Sequence, residues 1–347
     1  MDRADVCVLL PTMNEERTVG DVVRDFRDHG FERVLVVDGG STDGTRELAR
    51  EAGARVVEQR GTGKGQAVRQ AVAEEIDAPV VLMADADGTY RAADAGRMVA
   101  PIAEGRADHV IGDRFADMED GAMTRLNGVG NRLTNGAFRL IHGRDFADIL
   151  SGYRAFTRES FDRYSLSADG FGIETELAVE AVKHGTHVEV VPVTYGARPD
   201  ESETNLHPVK DGARIFLTLY RLAKTNNPLF YFGSVGVASL FAGLAVAGYV
   251  AYEWFVVEPP VSHEALAVVA AAGIILGVQL VMFGVLSDIV VAVNREQTRR
   301  LEELAEQLSG ADEAVARGDW ETEAKTAAVD PDDSEREQAA QPRDDAQ

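Results

Sequence analysis

The chain has 347 residues, a formal net charge of −23 and a single cysteine, so no internal disulfide can form. No basic domain is present, which argues against general nucleic-acid binding, and the lone Cys7 is expected to be a buried core residue. Lysine is scarce beside arginine, and such an acid-rich, lysine-poor composition favours a salt-adapted source, because screening at high salt removes self-repulsion.

Residues 1–100 alternate short apolar runs typical of strands with amphipathic stretches typical of helices. Residues 1–16 contain early acids and no long apolar run, so no secretory signal peptide is expected. The predicted strands cover residues 6–10, 33–38, 54–59 and 79–85, and the predicted helices cover residues 16–29, 44–53 and 65–76. Strands separated by helices predict a mostly parallel sheet, whose ligand site lies at the carboxyl ends of the strands.

Residues 100–200 are less regular. Strands are predicted over residues 109–115 and 187–195, and helices over residues 133–143 and 173–185. A polar segment at residues 195–208 contains Arg198, and we expect it to close over a bound ligand.

Two long uncharged runs come next, at residues 228–252 and 265–287. Each exceeds the ~20 residues that a helix needs to span a bilayer, and aromatic residues lie near the ends of the first run. A transmembrane hairpin over residues 228–293 is therefore favoured over a buried hairpin in a soluble protein.

The segments around this hairpin predict how it is oriented. Basic residues precede and follow it, whereas the loop between the two runs has neither Lys nor Arg, so the positive-inside rule places both termini in the cytoplasm. Residues 211–227 fit an amphipathic membrane-surface helix, with packing inside the soluble part as the alternative. Residues 294–347 are predicted to be an acidic cytoplasmic tail, largely disordered after a short helical start.

Two acids, Asp85 and Asp87, end the most apolar strand of the soluble part. Alternate residues of a strand point to the same side, so this D-x-D pattern favours two carboxylates that face one hard divalent cation. Two exposed turn acids are the alternative, because Asp and Gly are common in turns.

Three other loops are expected at the same edge of the sheet. Glycines there allow close backbone approach, a carboxylate can accept hydrogen bonds from a base or ribose, and a lysine or helix N-terminus can face phosphate. The absence of G-x-G-x-x-G and GxxxxGK[ST] patterns disfavours dehydrogenase and P-loop functions. The candidate binding residues in these segments are Pro11, Asn14, Glu15, Asp38 and Lys64.

The order of these motifs resembles the family 2 glycosyltransferases with the GT-A fold, over residues 5–210. The matching motifs are P-T-x-N-E, V-V-D-x-x-S-x-D-G-T, G-x-G-K-G and D-A-D. The resemblance implies an α/β glycosyltransferase domain at residues 1–210 and a cofactor Mg²⁺ or Mn²⁺ held by Asp85 and Asp87. It also implies a nucleotide-sugar site formed by Pro11, Asn14, Glu15, Asp38, Lys64 and Asp85.

Within that family the chain is most similar to polyprenyl-phosphate sugar transferases, above all the archaeal dolichyl-phosphate hexose transferases of surface-layer protein N-glycosylation. The resemblance implies that Arg114 and Arg132 hold the lipid phosphate. It implies that Asp148, in D-x-x-S-G-[FY]-R, orients the acceptor or acts as a base, the former being favoured. Mannose synthases often carry D-A-D-x-Q, and Thr89 stands in the last position here, which leaves a third metal ligand open.

Two further acids, Glu174 and Glu176, lie in the helix predicted over residues 173–185. Acids on a helix face are usually solvated. The resemblance raises the alternative that one of the two faces the site.

The resemblance implies inverting transfer of a hexose, from UDP-glucose, to membrane dolichyl phosphate in a halophilic archaeon. Later glycosyltransferases of the same pathway would be further partners. A mannose synthase that uses GDP-mannose remains an alternative. A polysaccharide synthase is disfavoured because no Q-x-x-R-W segment precedes the apolar runs, and a non-catalytic membrane scaffold is the alternative from another class.

Overall fold

A computed structural model of the chain describes residues 1–170, 172–198, 227–257 and 262–317. In the last of these ranges, side chains are described up to residue 294 and at residues 297 and 300. The amphipathic helix predicted at residues 211–227 lies outside these residues, except for Asn227. The described residues up to 288 belong to one unit, and those from 289 to 317 belong to a second.

Seven strands form one sheet in the order β3-β2-β1-β4-β6-β5-β7. Strand β6 is antiparallel to both of its neighbours, and all other neighbouring strands are parallel. The predicted α/β class with a mostly parallel sheet is therefore confirmed. The strands are β1 Val6–Thr12, β2 Val34–Asp38, β3 Arg55–Glu58, β4 Val80–Met83, β5 His109–Met118, β6 Arg154–Thr157 and β7 Val188–Tyr195.

Nine α-helices are present in the part of the chain that the structure describes. They are α1 Val19–Asp28, α2 Thr45–Glu51, α3 Lys64–Gln70, α4 Ala95–Ala103, α5 Arg125–His142, α6 Arg158–Asp162, α7 Ile173–Lys183, α8 Pro228–Phe255 and α9 Glu264–Arg317. Helix α9 extends further into the predicted tail than the short helical start that we expected.

The central strands are mostly apolar, as is typical of strands whose sheet is covered by helices on both faces. Val8 and Leu82 pack in the core on one face, and Leu9 and Met83 pack in the core on the other. Cys7 is buried in the second core, as predicted. The carboxyl ends of β1, β2 and β4 consequently meet at one edge of a rigid sheet.

Strand β6 was not predicted, because it is only four residues long and begins with a charged residue, Arg154. The Arg154 side chain is completely buried, and backbone carbonyls of Ile149 and Ser151 accept hydrogen bonds from its guanidinium at 2.6 and 3.0 Å. These bonds satisfy a charge that sequence patterning assigns to the surface. Helix α4 was also missed, and α5 begins at Arg125 instead of residue 133.

Helices α8 and α9 contain segments that are long and apolar enough to cross a membrane, Pro228–Phe255 and Glu264–Asn294. The two helices pack through small residues, as membrane helices commonly do. A Cβ added to Gly243 would lie 2.8 Å from the backbone nitrogen of Ile274, and the Ser239 hydroxyl donates to the Gly273 carbonyl at 2.9 Å.

Replacement of Gly243 by leucine is expected to force the two apolar helices apart, because no side chain fits against the backbone of α9. We expect Gly243→Leu to cost ~1–3 kcal/mol of stability, as overpacking does. Gly248→Leu is the matched control, since nothing lies within 4 Å of a Cβ added there. Thermal unfolding in detergent measures both; equal melting temperatures for the two variants would contradict the observed packing.

Candidate functional site

Hydrogen bonds join the loop after β1 to the loop after β2. The backbone N–H of Asn14 donates to the Ser41 hydroxyl at 2.9 Å, and the Asn14 side-chain oxygen accepts from the backbone N–H of Thr42 at 2.9 Å. Asn14 has a φ of +57°, a left-handed conformation that asparagine tolerates better than most residues. This conformation lets one asparagine join both loops.

Asp38 is the last residue of β2, and its buried side chain forms hydrogen bonds with the loop that follows. Its carboxylate accepts hydrogen bonds from the backbone N–H groups of Gly40 and Ser41 at 3.1 and 3.0 Å, and from the Ser41 hydroxyl. The predicted binding residues Pro11 and Asp38 therefore lie at the ends of β1 and β2, and Asn14 and Glu15 lie in the loop after β1.

The two acids of the D-x-D pattern do not lie in β4, which ends at Met83. The expectation that strand alternation aligns Asp85 and Asp87 was therefore wrong. Asp87 instead begins a tight turn, in which its carboxylate accepts from the backbone N–H of Thr89 at 3.1 Å and from the Thr89 hydroxyl at 2.6 Å. In this structure the Thr89 hydroxyl is therefore hydrogen-bonded to the Asp87 carboxylate.

Lys64, at the start of α3, lies between two carboxylates. Its ammonium group pairs with Asp85 and, at 2.6 Å, with Glu174 of α7. Burial alone would lower the pKa of Lys64, but the two carboxylates outweigh it and raise the pKa. Glu174 therefore faces the site, whereas Glu176 accepts hydrogen bonds from the loop before α7.

A second cation completes this acidic cluster. The Arg198 guanidinium lies 2.6 Å from Asp87 and 3.6 Å from Glu15. The pKa of Glu15 is raised to about 7, because burial and the nearby Asp87 raise it by more than Arg198 lowers it. We call Glu15, Asp85, Asp87 and Glu174, with Lys64 and Arg198, the acidic cluster.

The acidic cluster has the donor chemistry for a hard divalent cation. Its four carboxylates face two basic side chains, so negative charge is in excess. Among the described residues, no three His, Cys, Asp or Glu side chains are grouped to hold a metal ion by themselves. Mg²⁺ is typically bound by one or two carboxylates together with substrate phosphates, and Asp85 and Asp87 fit that mode.

A buried ion pair lies beside the acidic cluster. Arg114 donates to Asp148 through Nε at 2.6 Å and through Nη2 at 2.8 Å, and its guanidinium lies 5.3 Å from the ring centre of Tyr195. Burial alone would lower the pKa of Arg114, but Asp148 raises it. Arg114 and Asp148, both predicted as site residues, thus form a bidentate ion pair in which each compensates the charge of the other.

The loop that carries Asp148 is held on both sides. Asn135 of α5 donates to the Ala147 carbonyl at 2.7 Å and accepts from the backbone N–H of Ile149 at 3.0 Å. Sequence analysis did not single out Asn135; a polar residue on the inner face of a helix was the available signal.

The same loop joins the ion pair to the acidic cluster. The backbone N–H of Gly152 donates to the Tyr90 hydroxyl at 2.9 Å. A Cβ added to Gly152 would lie 2.5 Å from Asp85 and 3.0 Å from the Lys64 ammonium. A side chain at position 152 would therefore displace the Asp85 carboxylate, and a single short loop runs from Asp148 to the acidic cluster.

Arg132 occupies a different environment from Arg114. It is exposed on α5, one turn before Asn135. Within the described residues, no hydrogen bond or ion pair joins Arg132 to Arg114 or Asp148. Arg114 is thus buried in an ion pair whereas Arg132 is exposed, although the resemblance implied the same role for both.

The two arginines are expected to differ in their effect on stability. Arg114→Leu leaves the buried Asp148 carboxylate without its partner and should lower the free energy of unfolding by ~3–5 kcal/mol. Arg132→Leu, the matched control, should change it by less than ~0.5 kcal/mol, as for most exposed substitutions. Chemical unfolding at high KCl measures both; an Arg114→Leu chain as stable as the control would show that the ion pair is not required.

The family is established by comparison with known proteins. A family model for glycosyl transferase family 2 matches residues 7–165. Glycosyltransferase AglJ of Haloferax volcanii is 66% identical over 299 residues, covering 86% of this chain and 98% of the relative. The dolichyl-phosphate hexose transferase of the same species is 35% identical over 213 residues, covering 61% of this chain and 90% of the relative.

The fold is established by a solved structure, glucosyl-3-phosphoglycerate synthase from Mycobacterium tuberculosis in complex with Mn²⁺, UDP-glucose and phosphoglyceric acid. It superposes with a TM-score of 0.54 at 23% identity, covering 63% of this chain and 79% of that chain. A sheet of this topology, with the acidic cluster at its carboxyl edge, is the GT-A fold that the sequence motifs implied. The chain is an enzyme that belongs to glycosyltransferase family 2.

Proposed function

We propose that this chain transfers a hexose from a nucleotide sugar to dolichyl phosphate, with inversion at the anomeric carbon, for protein N-glycosylation. The carrying observation is the short loop from Asp148 to Gly152, which places a buried guanidinium next to the acidic cluster. A guanidinium, a group that suits phosphate oxygens, thus lies beside the residues proposed to bind the nucleotide sugar. The similarity to a dolichyl-phosphate hexose transferase supports the lipid acceptor.

The linked loops after β1 and β2 would bind the nucleoside. In this proposal Pro11, Asn14, Glu15 and Asp38 contact the base and ribose, and Lys64 and Asp85 face the diphosphate. Asp85 and Asp87 would hold Mg²⁺ or Mn²⁺, which would supply positive charge next to the departing diphosphate. Lys64, kept protonated by its carboxylate partners, adds a second positive charge at the same place.

The arginines would bind the acceptor phosphate, which is already an oxyanion near neutral pH and needs positioning instead of deprotonation. Asp148 orients the Arg114 guanidinium, because both of its carboxylate oxygens accept from that side chain. Arg132 contributes a second charge from α5. A phosphate oxygen forms the bond to the anomeric carbon as the bond to the nucleoside diphosphate breaks, and this single displacement inverts the carbon.

The apolar helices α8 and α9 would keep the enzyme at its acceptor. We propose that both cross the cell membrane, with the catalytic domain and both termini in the cytoplasm, as the basic flanking residues favour. Later glycosyltransferases of the pathway would then use the lipid-linked sugar.

The donor is proposed to be UDP-glucose, with GDP-mannose as the alternative. Membranes that contain the chain, given labelled nucleotide sugars and dolichyl phosphate, should form one labelled dolichyl-phosphate hexose, identified by mass spectrometry. Labelled polymer would favour a polysaccharide synthase, and no product with any donor would favour a membrane scaffold.

Asp85→Asn should reduce transfer by ~10²-fold or more, the usual cost of losing one electrostatic group of a site. The fold should persist, because Lys64 retains Glu174 as a buried partner. Asp21→Asn is the matched control, an exposed acid on α1, and should retain full transfer. Initial rates of lipid-product formation measure both, and near-normal transfer by Asp85→Asn would remove this carboxylate from the mechanism.

Removal of divalent cations should abolish transfer, because the diphosphate would then leave without its main counter-charge. We expect EDTA to stop product formation and added Mn²⁺ or Mg²⁺ to restore it. The melting temperature in EDTA serves as the control and should stay unchanged if the metal arrives with the donor. Full activity in EDTA would exclude a metal role for Asp85 and Asp87.

A further inference from the structure

Helix α5 carries an exposed apolar stripe. Leu126, Val129, Leu133 and Leu140 are 62, 54, 69 and 71% exposed. Their spacings of three, four and seven residues place all four on one side of the helix. Exposed large apolar side chains grouped in this way mark an interaction surface.

A row of arginines runs beside this stripe. Arg125, Arg132 and Arg139 each precede a stripe leucine by one residue and are exposed. Thr134, Phe138 and Ile141 form the buried side of the helix, so the stripe lies between the buried side and the arginines. Apolar side chains flanked by basic ones are typical of a helix that lies in a membrane surface. We call the stripe and its arginines the α5 face.

The α5 face is continuous with the proposed membrane anchor. Asn227 caps the first apolar helix, where its side-chain oxygen accepts from the backbone N–H of Phe230 at 3.0 Å. The amide nitrogen of the same side chain donates to the carbonyl of Ile141, in the last turn of α5. The point at which α8 begins, and hence the expected bilayer surface, is therefore bonded to the end of α5.

We propose that the α5 face lies on the bilayer, with its apolar side chains below the headgroups and its arginines among anionic headgroups. This inference rests on the proposed membrane anchoring by α8 and α9. Because the Debye length falls to ~3 Å at 1 M salt, the arginines of a salt-adapted protein act only at close range. The apolar stripe therefore supplies most of the docking, and the arginines select the headgroup charge.

Docking of α5 would also position the acceptor. Asn135, on the same helix, holds the Asp148 loop through two hydrogen bonds. A helix that rests on the bilayer therefore sets the height of the Arg114–Asp148 pair above the membrane. The stripe residues act as positioning residues, through the helix, and need not touch the lipid phosphate.

A fluorescent label at one stripe position tests the proposal. Leu133→Cys, labelled with an environment-sensitive fluorophore (NBD), is studied in the full chain in phosphatidylglycerol–phosphatidylcholine vesicles at high KCl. Cys7 is buried and should stay unlabelled. We expect blue-shifted emission that nitroxide-bearing lipids quench. A label at Leu48→Cys, on α2 at the other edge of the sheet, is the control and should show neither effect.

A label at Leu244→Cys, exposed on α8, separates failure of this inference from failure of the anchoring. Quenching at 244 without quenching at 133 would overturn the α5 proposal alone. A blue shift at 133 without lipid quenching would mean that a second copy or another segment of the chain covers the stripe, which also overturns it. The fluorescence result does not depend on which sugar, or which acceptor, the enzyme uses.

Kinetics provide a second measurement. Leu126→Gln with Leu133→Gln should raise the KM for dolichyl phosphate in vesicles several-fold while kcat and the KM for the nucleotide sugar change little. An unchanged KM for the lipid, or an equal loss in kcat, would contradict a positioning role for the stripe.

Discussion

The structure depends on keeping four carboxylates close together in a partly buried site. Like charges repel strongly where water is excluded, so Glu15, Asp85, Asp87 and Glu174 require the two cations that they share. Burial is the main cause of the raised pKa of Glu15, Arg198 lowers it in part, and Asp87 and Asp85 add to the rise. Four carboxylates that share two cations attract further positive charge, which suits the divalent cation proposed to bind here with the diphosphate.

The sheet brings this cluster and the Arg114–Asp148 pair together. Parallel strands β1, β2 and β4 deliver three loops to one edge, and the antiparallel strand β6 begins directly after the loop that leads from Asp148. Arg154 locks the start of β6 to that loop from within the core. The reversed strand is therefore what permits one short segment to contact both charged groups.

Much of the fold was predictable, because long apolar runs and amphipathic periods repeat regularly through residues 1–100. Strand β6 escaped prediction because its first residue is a buried arginine, and burial of a charge depends on carbonyls that lie near it only after folding. The strand predicted over residues 79–85 ran two residues too far, to Asp85, for a related reason. Strand pairing ends at Met83, and sequence alone does not show where a neighbouring strand stops bonding.

The sequence by itself determined the family, the parallel α/β class and the residue types at the site, since motif order and hydrophobic period are local properties. It named Lys64, Asp85, Arg114 and Asp148, but not their partners. Only the tertiary structure decided that Lys64 forms ion pairs with both Asp85 and Glu174. It also decided that Asp148 forms an ion pair with Arg114, and that Arg132 is exposed on a helix. These pairings join residues distant in sequence, and the cost of burying an unpaired charge fixes them only once the sheet has formed.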